Sequence, residues 1–189
     1  ILGVPAATLS FRPDAVMRGE WWRLFTHPFA HVSLYHLAWD GASFLCLYAA
    51  LRGLGEGARR AIASAAAVGS LAVAAISPVF ASHGLCGLSG PAHGLMAVYG
   101  AQLWLAGRTR GDRYVGAVAV LLTLAKSVYE AVAGQILFSA WHMGFVGAPN
   151  AFTHLGGAMG GLAIWIVLTS LSRPATHAAA ARLALSRDS

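Results

Sequence analysis

Apolar residues along this chain collect in long stretches that short polar connections separate. A helix needs about 20 mostly apolar residues to cross the hydrocarbon core of a bilayer. Five stretches approach this length and are predicted to be membrane-spanning helices: Tyr35 to Leu51, Ala61 to Ala81, Ser89 to Ala106, Tyr114 to Phe138 and Phe152 to Leu171. The segment from Ile1 to Phe11 is apolar but too short to cross, and we expect it to be the end of a truncated first helix. The pattern therefore predicts an all-α membrane protein, a polytopic bundle of about six transmembrane helices.

Composition leads to the same class of protein. Hydrophobic residues make up 57% of the 189 residues, charged residues make up 11%, and the mean hydropathy is +0.62. These values are too apolar for a soluble domain of this length, and the spans leave no room for one. We predict one membrane domain over residues 1–172, followed by a tail over residues 173–189 that is rich in alanine and has spaced arginines.

The positive charges predict an orientation. A net charge of +6 is compatible with nucleic acid binding, but the arginines lie in the connections rather than along one basic and aromatic face, so we expect no nucleic-acid partner. Two connections and the tail carry arginines and are predicted to be cytoplasmic: Arg52, Arg59 and Arg60; Arg108, Arg110 and Arg113; and Arg173, Arg182 and Arg187. The connections over residues 77–88 and 139–151 contain no lysine or arginine and are predicted to lie on the opposite side.

Lysine and arginine are usually concentrated on the cytoplasmic side of a membrane protein. The segment before the first predicted span does not follow this rule, because it carries Arg12, Arg18 and Arg23. We therefore expect it to have a specific structural role. Its sequence Glu20-Trp21-Trp22-Arg23 is typical of an interfacial segment that lies along the lipid headgroups, and an ordinary aromatic belt is the alternative.

The two cysteines, Cys46 and Cys86, lack the repeated close spacing of a structural zinc site. We interpret them as small buried residues rather than as a disulfide pair. No metal and no cofactor is expected.

Ser89 is a candidate nucleophile, since polar groups inside apolar spans are costly and each is a candidate functional group. It lies in the sequence Gly87-Leu88-Ser89-Gly90-Pro91, where a glycine-rich loop meets the start of a span. The glycines allow a sharp turn and the close approach of a substrate backbone, and a helix N-terminus offers free N–H groups to a developing oxyanion. The alternative is a serine N-cap with Pro91 in the first helical turn.

His154 is a candidate base just inside the last span, and Gly157 and Gly161 follow it on the same helix. Glycines four residues apart form a groove through which a neighbouring helix can approach closely. If that neighbour is the Ser89 helix, the imidazole can activate the hydroxyl. The alternative is a histidine that only forms a hydrogen bond between helices.

A further polar group begins before the first full span and ends inside it: His27, His31, His36 and Asp40. His36 and Asp40 are four residues apart on a helix and face the same way, so the carboxylate can hold the imidazole. This group is a candidate for supplying an oxyanion hole, binding a metal or lining a water-filled cavity.

His93 competes with His154 for the role of base, because it lies four residues after Ser89 on the same helix face. We favour His154, since a base on a separate helix can point a ring nitrogen at the hydroxyl more freely. Lys126 and Glu130, also four residues apart, are interpreted as a structural pair that neutralises itself inside the membrane.

In their order and spacing these residues resemble the rhomboid intramembrane proteases, from about Glu20 to Gly161. The sequence Trp22-Arg23-Leu24-Phe25-Thr26-His27 is similar to the Trp-Arg stretch of that family's first extracytoplasmic loop. The sequence Gly87-Leu88-Ser89-Gly90 is similar to its nucleophile motif. The family's loop histidine, oxyanion histidine and oxyanion asparagine are expected where this chain has His31, His36 and Asp40. Its last-helix histidine and glycine groove are expected at His154, Gly157 and Gly161.

The resemblance implies a rhomboid-like helical bundle and an intramembrane serine endopeptidase in which Ser89 attacks and His154 is the base. It implies that the substrates are transmembrane proteins cleaved near the surface of the lipid bilayer. The implied location is the bacterial inner membrane, with several spans and a cytoplasmic C-terminus.

Two departures from the family pattern suggest a branch within it. Asp40 stands in place of the usual asparagine, and His93 stands where many members have an aromatic residue. The resulting Ser-Gly-x-x-His-Gly pattern, together with Lys126 and Glu130, resembles the rhombosortases. That resemblance implies exported substrates that end in a Gly-Gly motif, a hydrophobic helix and a basic cluster.

Asp40 needs a partner, because an ionised carboxylate beside a forming oxyanion would repel it. Our hypothesis is that Asp40 pairs with His36 or His93 and keeps that imidazole in a donating state.

Two other functions stay open from the sequence alone. The first is a zinc-dependent membrane hydrolase, whose metal ligands would be Ser89, His93, Asp40 and a further histidine. An inactive rhomboid-like protein that binds transmembrane helices is the second alternative.

Overall fold

The computed structural model describes residues 8–77, 80–137, 141, 143–145 and 150–185. Its α-helices in chain order are α1 (Pro13–Met17), α2 (Arg23–Thr26), α3 (Leu34–Ala50), α4 (Glu56–Ala74), α5 (Phe80–His83), α6 (Ser89–Ala106), α7 (Arg110–Ala133) and α8 (Phe152–Leu185). Short 3-10 turns follow α2 and α3, at His27–Phe29 and Leu51–Gly53. The described residues contain one isolated β-bridge and no strand, so the prediction of an all-α protein is confirmed.

The five longest helices correspond to the five predicted spans and differ from them mainly at their ends. Helix α4 begins at Glu56, before the predicted span, because Glu56 forms ion pairs with Arg59 and Arg60 that let a polar segment join the helix. Helix α7 also begins early, because Thr109 and Asp112 form a capping box. Helix α6 has the predicted bounds.

Two helices among the described residues are long and apolar enough to cross a membrane, namely Arg110–Ala133 and Phe152–Leu171. The count of six spans stays a prediction, and the segment predicted to be a truncated first helix includes residues 1–7, which lie outside the described part. Helix α8 runs on to Leu185 through the predicted boundary at residue 172, so no helix end marks the start of the tail. Large apolar side chains on α7, including Leu121 and Val132, are exposed, as expected of a surface in contact with lipid.

Helix α8 packs against α4 and α6 through glycines. The glycines in contact are Gly69 with Gly160, Gly90 with Gly157, and Gly94 with Gly161. A Cβ atom on Gly157 would overlap the carbonyl oxygen of Gly90, so only glycine allows this approach of two helix backbones. The contact brings the N-terminal ends of α6 and α8 together.

The segment around α2 is tied to the loop that precedes α6. Arg23 is buried, and its guanidinium donates to Glu20 Oε2 and to the carbonyl of Ser10, both at 2.7 Å. The carbonyl of His27 accepts a hydrogen bond from the N–H of Gly87 at 3.0 Å. Burial lowers the pKa of His27, whose Nδ1 lies 3.2 Å from the carbonyl oxygen of Arg23, so this histidine is structural.

Trp21 and Trp22 lie at the surface of this segment, with 61% and 50% of each residue exposed. The indole N–H of Trp22 donates to the carbonyl of Thr8 at 3.3 Å. An exposed ring with a satisfied N–H fits an interfacial segment.

The prediction that both cysteines are buried is wrong for Cys46, which is exposed on α3, whereas Cys86 is partly buried. Cys46 follows the exposed Leu45, on a surface where an apolar thiol is compatible with lipid. Both thiols are free.

Candidate active site

Ser89 is the first residue of α6, and the loop before it turns at Gly87. Gly87 has a φ of 96°, in the left-handed region that favours glycine, and a Cβ atom there would lie 2.8 Å from Asp40 Oδ2. Leu88 is the N-cap residue and no side chain caps the helix, so the alternative in which Ser89 is a structural cap is wrong. The hydroxyl of Ser89 is therefore not used to hold the helix end.

A cavity of about 480 Å³ opens beside Ser89 between α3, α6, α7 and α8. Its lining includes six of the polar residues discussed from the sequence: His36, Asp40, Ser89, His93, Lys126 and His154. Much of the rest of the wall is apolar and aromatic, including Trp39, Leu137 and Trp141. An apolar cleft with a few convergent polar groups is the usual form of a binding site.

His154 lies near the start of α8 and is 4% exposed. Its Nδ1 lies 2.6 Å from Glu130 Oε2 on α7. Its ring stacks on the ring of His93, with centroids 4.0 Å apart and planes inclined by 12°. Among the described residues Ser89 Oγ is not hydrogen-bonded to either imidazole, and contacts of this kind are often long until a substrate binds.

His93 has both ring nitrogens engaged. Its Nδ1 lies 2.7 Å from the carbonyl oxygen of Ser89, and its Nε2 lies 3.1 Å from Lys126 Nζ. A carbonyl oxygen only accepts and an ammonium only donates, so Nδ1 carries the proton and the lone pair of Nε2 accepts from Lys126. His93 therefore has no free lone pair with which to take a proton from the Ser89 hydroxyl.

Asp40 is buried and holds the loop that precedes the serine. Its Oδ2 accepts from the N–H of Leu88 at 3.0 Å and lies 3.1 Å from His36 Nε2 and 3.7 Å from His31 Nε2. Of the two partners considered from the sequence, the carboxylate pairs with His36. This leaves Nδ1 of His36 buried and without a hydrogen-bond partner among the described residues.

The sequence model of a protein family described as the Rhomboid domain matches residues 18–171. The chain belongs to the rhomboid family. Rhomboids are intramembrane serine proteases that act on transmembrane substrates in the bilayer, and with its apolar helices this chain is a membrane protein. Neither the curated proteins nor the solved structures gave a match.

One group of potential metal ligands among the described residues of this rhomboid surrounds a positive charge. Potential ligand atoms of His93, Glu130 and His154 lie within 4.8 Å of one another. The ammonium of Lys126 lies 2.7 Å from Glu130 and 3.1 Å from His93, so a metal cation here would meet the repulsion of that charge. Asp40, part of the zinc set considered from the sequence, is not among these three residues. The side chains of Glu130 and His93 already contact the ammonium of Lys126, so this group of residues is better suited to hold that ammonium than a metal ion.

The sequence interpretation of Lys126 and Glu130 was incomplete. The predicted pair forms, at 2.7 Å, but each partner also contacts an imidazole, Lys126 that of His93 and Glu130 that of His154. The signal in the sequence is the presence of two charges within an apolar span, which is costly unless they serve a site.

The pairing of Asp40 leads to a prediction for the Asp40→Asn variant of this rhomboid. Asparagine keeps an oxygen for the N–H of Leu88, so the loop should fold, but it removes the charge that faces His36. We expect about 10-fold lower peptide cleavage and an altered dependence of the rate on pH. The measurement is cleavage rate against pH for the variant and the parent. Full activity with an unchanged pH profile would show that the charge has no role.

Proposed function

We propose that this rhomboid is an intramembrane serine endopeptidase with Ser89 as nucleophile and His154 as base. The observation that carries the proposal is the difference between His93 and His154, two of the histidines that line the cavity. Both nitrogens of His93 have partners, whereas Nε2 of His154 has none among the described residues, and Nδ1 of His154 faces a carboxylate. An imidazole held at Nδ1 has its Nε2 lone pair available for a serine hydroxyl.

In the proposed reaction Ser89 Oγ forms a bond to the scissile carbonyl carbon while its proton passes to Nε2 of His154. The same proton then goes to the leaving amine as the C–N bond breaks, and water hydrolyses the acyl-enzyme. The backbone N–H of Ser89 at the start of α6 and the side chain of His36 would stabilise the oxyanion. The N–H of Leu88 is already taken by Asp40.

The finer assignments follow the resemblance. We propose six spans and a place in the bacterial inner membrane, together with a cytoplasmic C-terminus, and the distribution of arginines supports this orientation. We also propose a rhombosortase-type specificity for exported proteins that end in Gly-Gly, a hydrophobic helix and a basic cluster. That branch is supported by Asp40, His93 and the Lys126–Glu130 pair. These residues line the cavity or contact its lining.

The test is cleavage of a model substrate by the full chain in proteoliposomes. The substrate ends in Gly-Gly, an apolar helix and a lysine-arginine cluster, and its matched control has two alanines in place of the glycines. We expect cleavage at the Gly-Gly segment by the parent, none by Ser89→Ala, inhibition by an isocoumarin and no effect of a chelator. Cleavage of the alanine control at the same rate would remove the rhombosortase specificity. Chelator-sensitive activity would favour a metal hydrolase, and a Ser89→Ala variant that functions like the parent would favour a helix-binding role.

A further inference from the structure

Among the described residues, Glu130 is the most deeply buried charged group beside the cavity, with a side chain that is 0% exposed. It projects from α7, one of the two helices apolar and long enough to cross a membrane. Its two oxygens have three partners. Oε1 accepts from Lys126 Nζ at 2.7 Å and from the N–H of Leu137 at 2.8 Å, and Oε2 lies 2.6 Å from His154 Nδ1.

These partners fix where the protons lie. A backbone N–H and an ammonium only donate, and two such donors on Oε1 favour an ionised carboxylate. The short contact at Oε2 is then a hydrogen bond that Nδ1–H of His154 donates. A neutral imidazole with its proton on Nδ1 has its lone pair on Nε2, which is the atom that must take the serine proton.

Lys126 and His93 complete a network that returns to the serine. The ammonium of Lys126 lies between Glu130 Oε1 and His93 Nε2, and Nδ1–H of His93 donates to the carbonyl oxygen of Ser89 itself. The stacked ring of His93 also covers one face of His154. The network therefore restrains the base on one edge and one face.

We propose that Glu130 is the positioning residue for His154, so that this rhomboid uses a serine, histidine and glutamate array with Lys126 holding the glutamate. The inference rests on the proposed function. When Nε2 takes the proton from Ser89 Oγ, His154 becomes positively charged, and the facing carboxylate stabilises that charge without accepting the proton. Lys126 and His93 act through Glu130 and His154 and touch no reacting atom in this scheme.

The test is the rate at which a fluorophosphonate labels the full chain in detergent, measured across a range of pH. In this reaction Ser89 Oγ forms a bond to phosphorus, fluoride leaves, and the serine proton goes to His154. We expect Glu130→Gln to lower the labelling rate by about 10²–10⁴-fold and to change its pH profile, because an amide does not stabilise the imidazolium. The matched control is Glu56→Gln, the same change at an exposed carboxylate whose partners are Tyr48, Arg59 and Arg60, and it should label at the parent rate.

The outcomes separate the two proposals. If the parent is not labelled at Ser89, the proposed function fails. If the parent is labelled at Ser89 and Glu130→Gln labels within about 3-fold of it with the same pH profile, the role of Glu130 is overturned while the function stands.

Two further measurements keep the inference testable if Glu130→Gln does not fold because Lys126 loses its counter-charge. The double variant Lys126→Met with Glu130→Gln removes both charges together, and it should fold and still label slowly. In the parent, nitrogen NMR of labelled histidine should show the neutral His154 ring protonated on Nδ1. Protonation on Nε2, or a double variant with the parent's rate and pH profile, would contradict the proposal.

Discussion

His154→Ala is expected to lower kcat/KM for peptide cleavage by about 10⁴-fold, because His93, the imidazole stacked on His154, has both ring nitrogens engaged and no lone pair free for the Ser89 hydroxyl. The measurement is cleavage of the transmembrane substrate by the parent and the variant in the same proteoliposomes. The variant should keep its fold, since a small side chain leaves the glycine contacts of α8 intact.

His93→Gln is the comparison for this prediction. Glutamine can donate to the Ser89 carbonyl and accept from Lys126, so we expect a loss of only about 10-fold. A larger loss for His93→Gln than for His154→Ala would assign the role of base to His93 instead.

Gly157→Ala is expected to lower the free energy of unfolding by about 1–3 kcal/mol and to reduce cleavage by about 10²-fold. The new methyl group would overlap the carbonyl oxygen of Gly90, so α8 must move away from α6 and take His154 away from Ser89. The loss should appear although alanine is the better helix former. Thermal unfolding in detergent and the cleavage assay measure the two effects.

The matched control for this prediction is Gly41→Ala on α3. A Cβ atom on Gly41 meets no atom within 4 Å, so this variant should be as stable as the parent or slightly more so. Equal melting temperatures and activities for Gly157→Ala and Gly41→Ala would contradict the glycine contact.

The sequence predicted the helices well because length and hydropathy determine them in a membrane protein. Helix α6 has the predicted bounds, but α4 starts earlier, since local ion pairs of Glu56 outweigh the polarity of its first turns. The extension of α8 to Leu185 was not predicted, because the alanine-rich tail is not apolar enough to read as part of a span.

In the candidate site, contacts between residues four apart on one helix could be predicted from the sequence, whereas contacts between different helices could not. The pairs His36 with Asp40 and Lys126 with Glu130 follow from helical spacing. The contact of Glu130 with His154 joins two helices across 24 residues and depends on how the helices pack. Spacing along the chain carries no information about such a contact. The sequence therefore predicts only that Lys126 and Glu130 pair with each other, without a further partner.

The contact of Asp40 with Leu88 illustrates the same limit. The two residues are 48 positions apart and meet because Gly87 turns the loop back toward α3. The sequence identified Asp40 as a departure from the family pattern, but only the structure shows that its carboxylate anchors the loop before Ser89.

Tandem mass spectrometry can identify the residue of the full chain that a fluorophosphonate modifies, and so show whether Ser89 is the nucleophile. The proposed role of Ser89 as nucleophile predicts one adduct, on Ser89, which His154→Ala abolishes and excess substrate suppresses. An adduct on another residue, or an unmodified Ser89 in a preparation that cleaves its substrate, would contradict it.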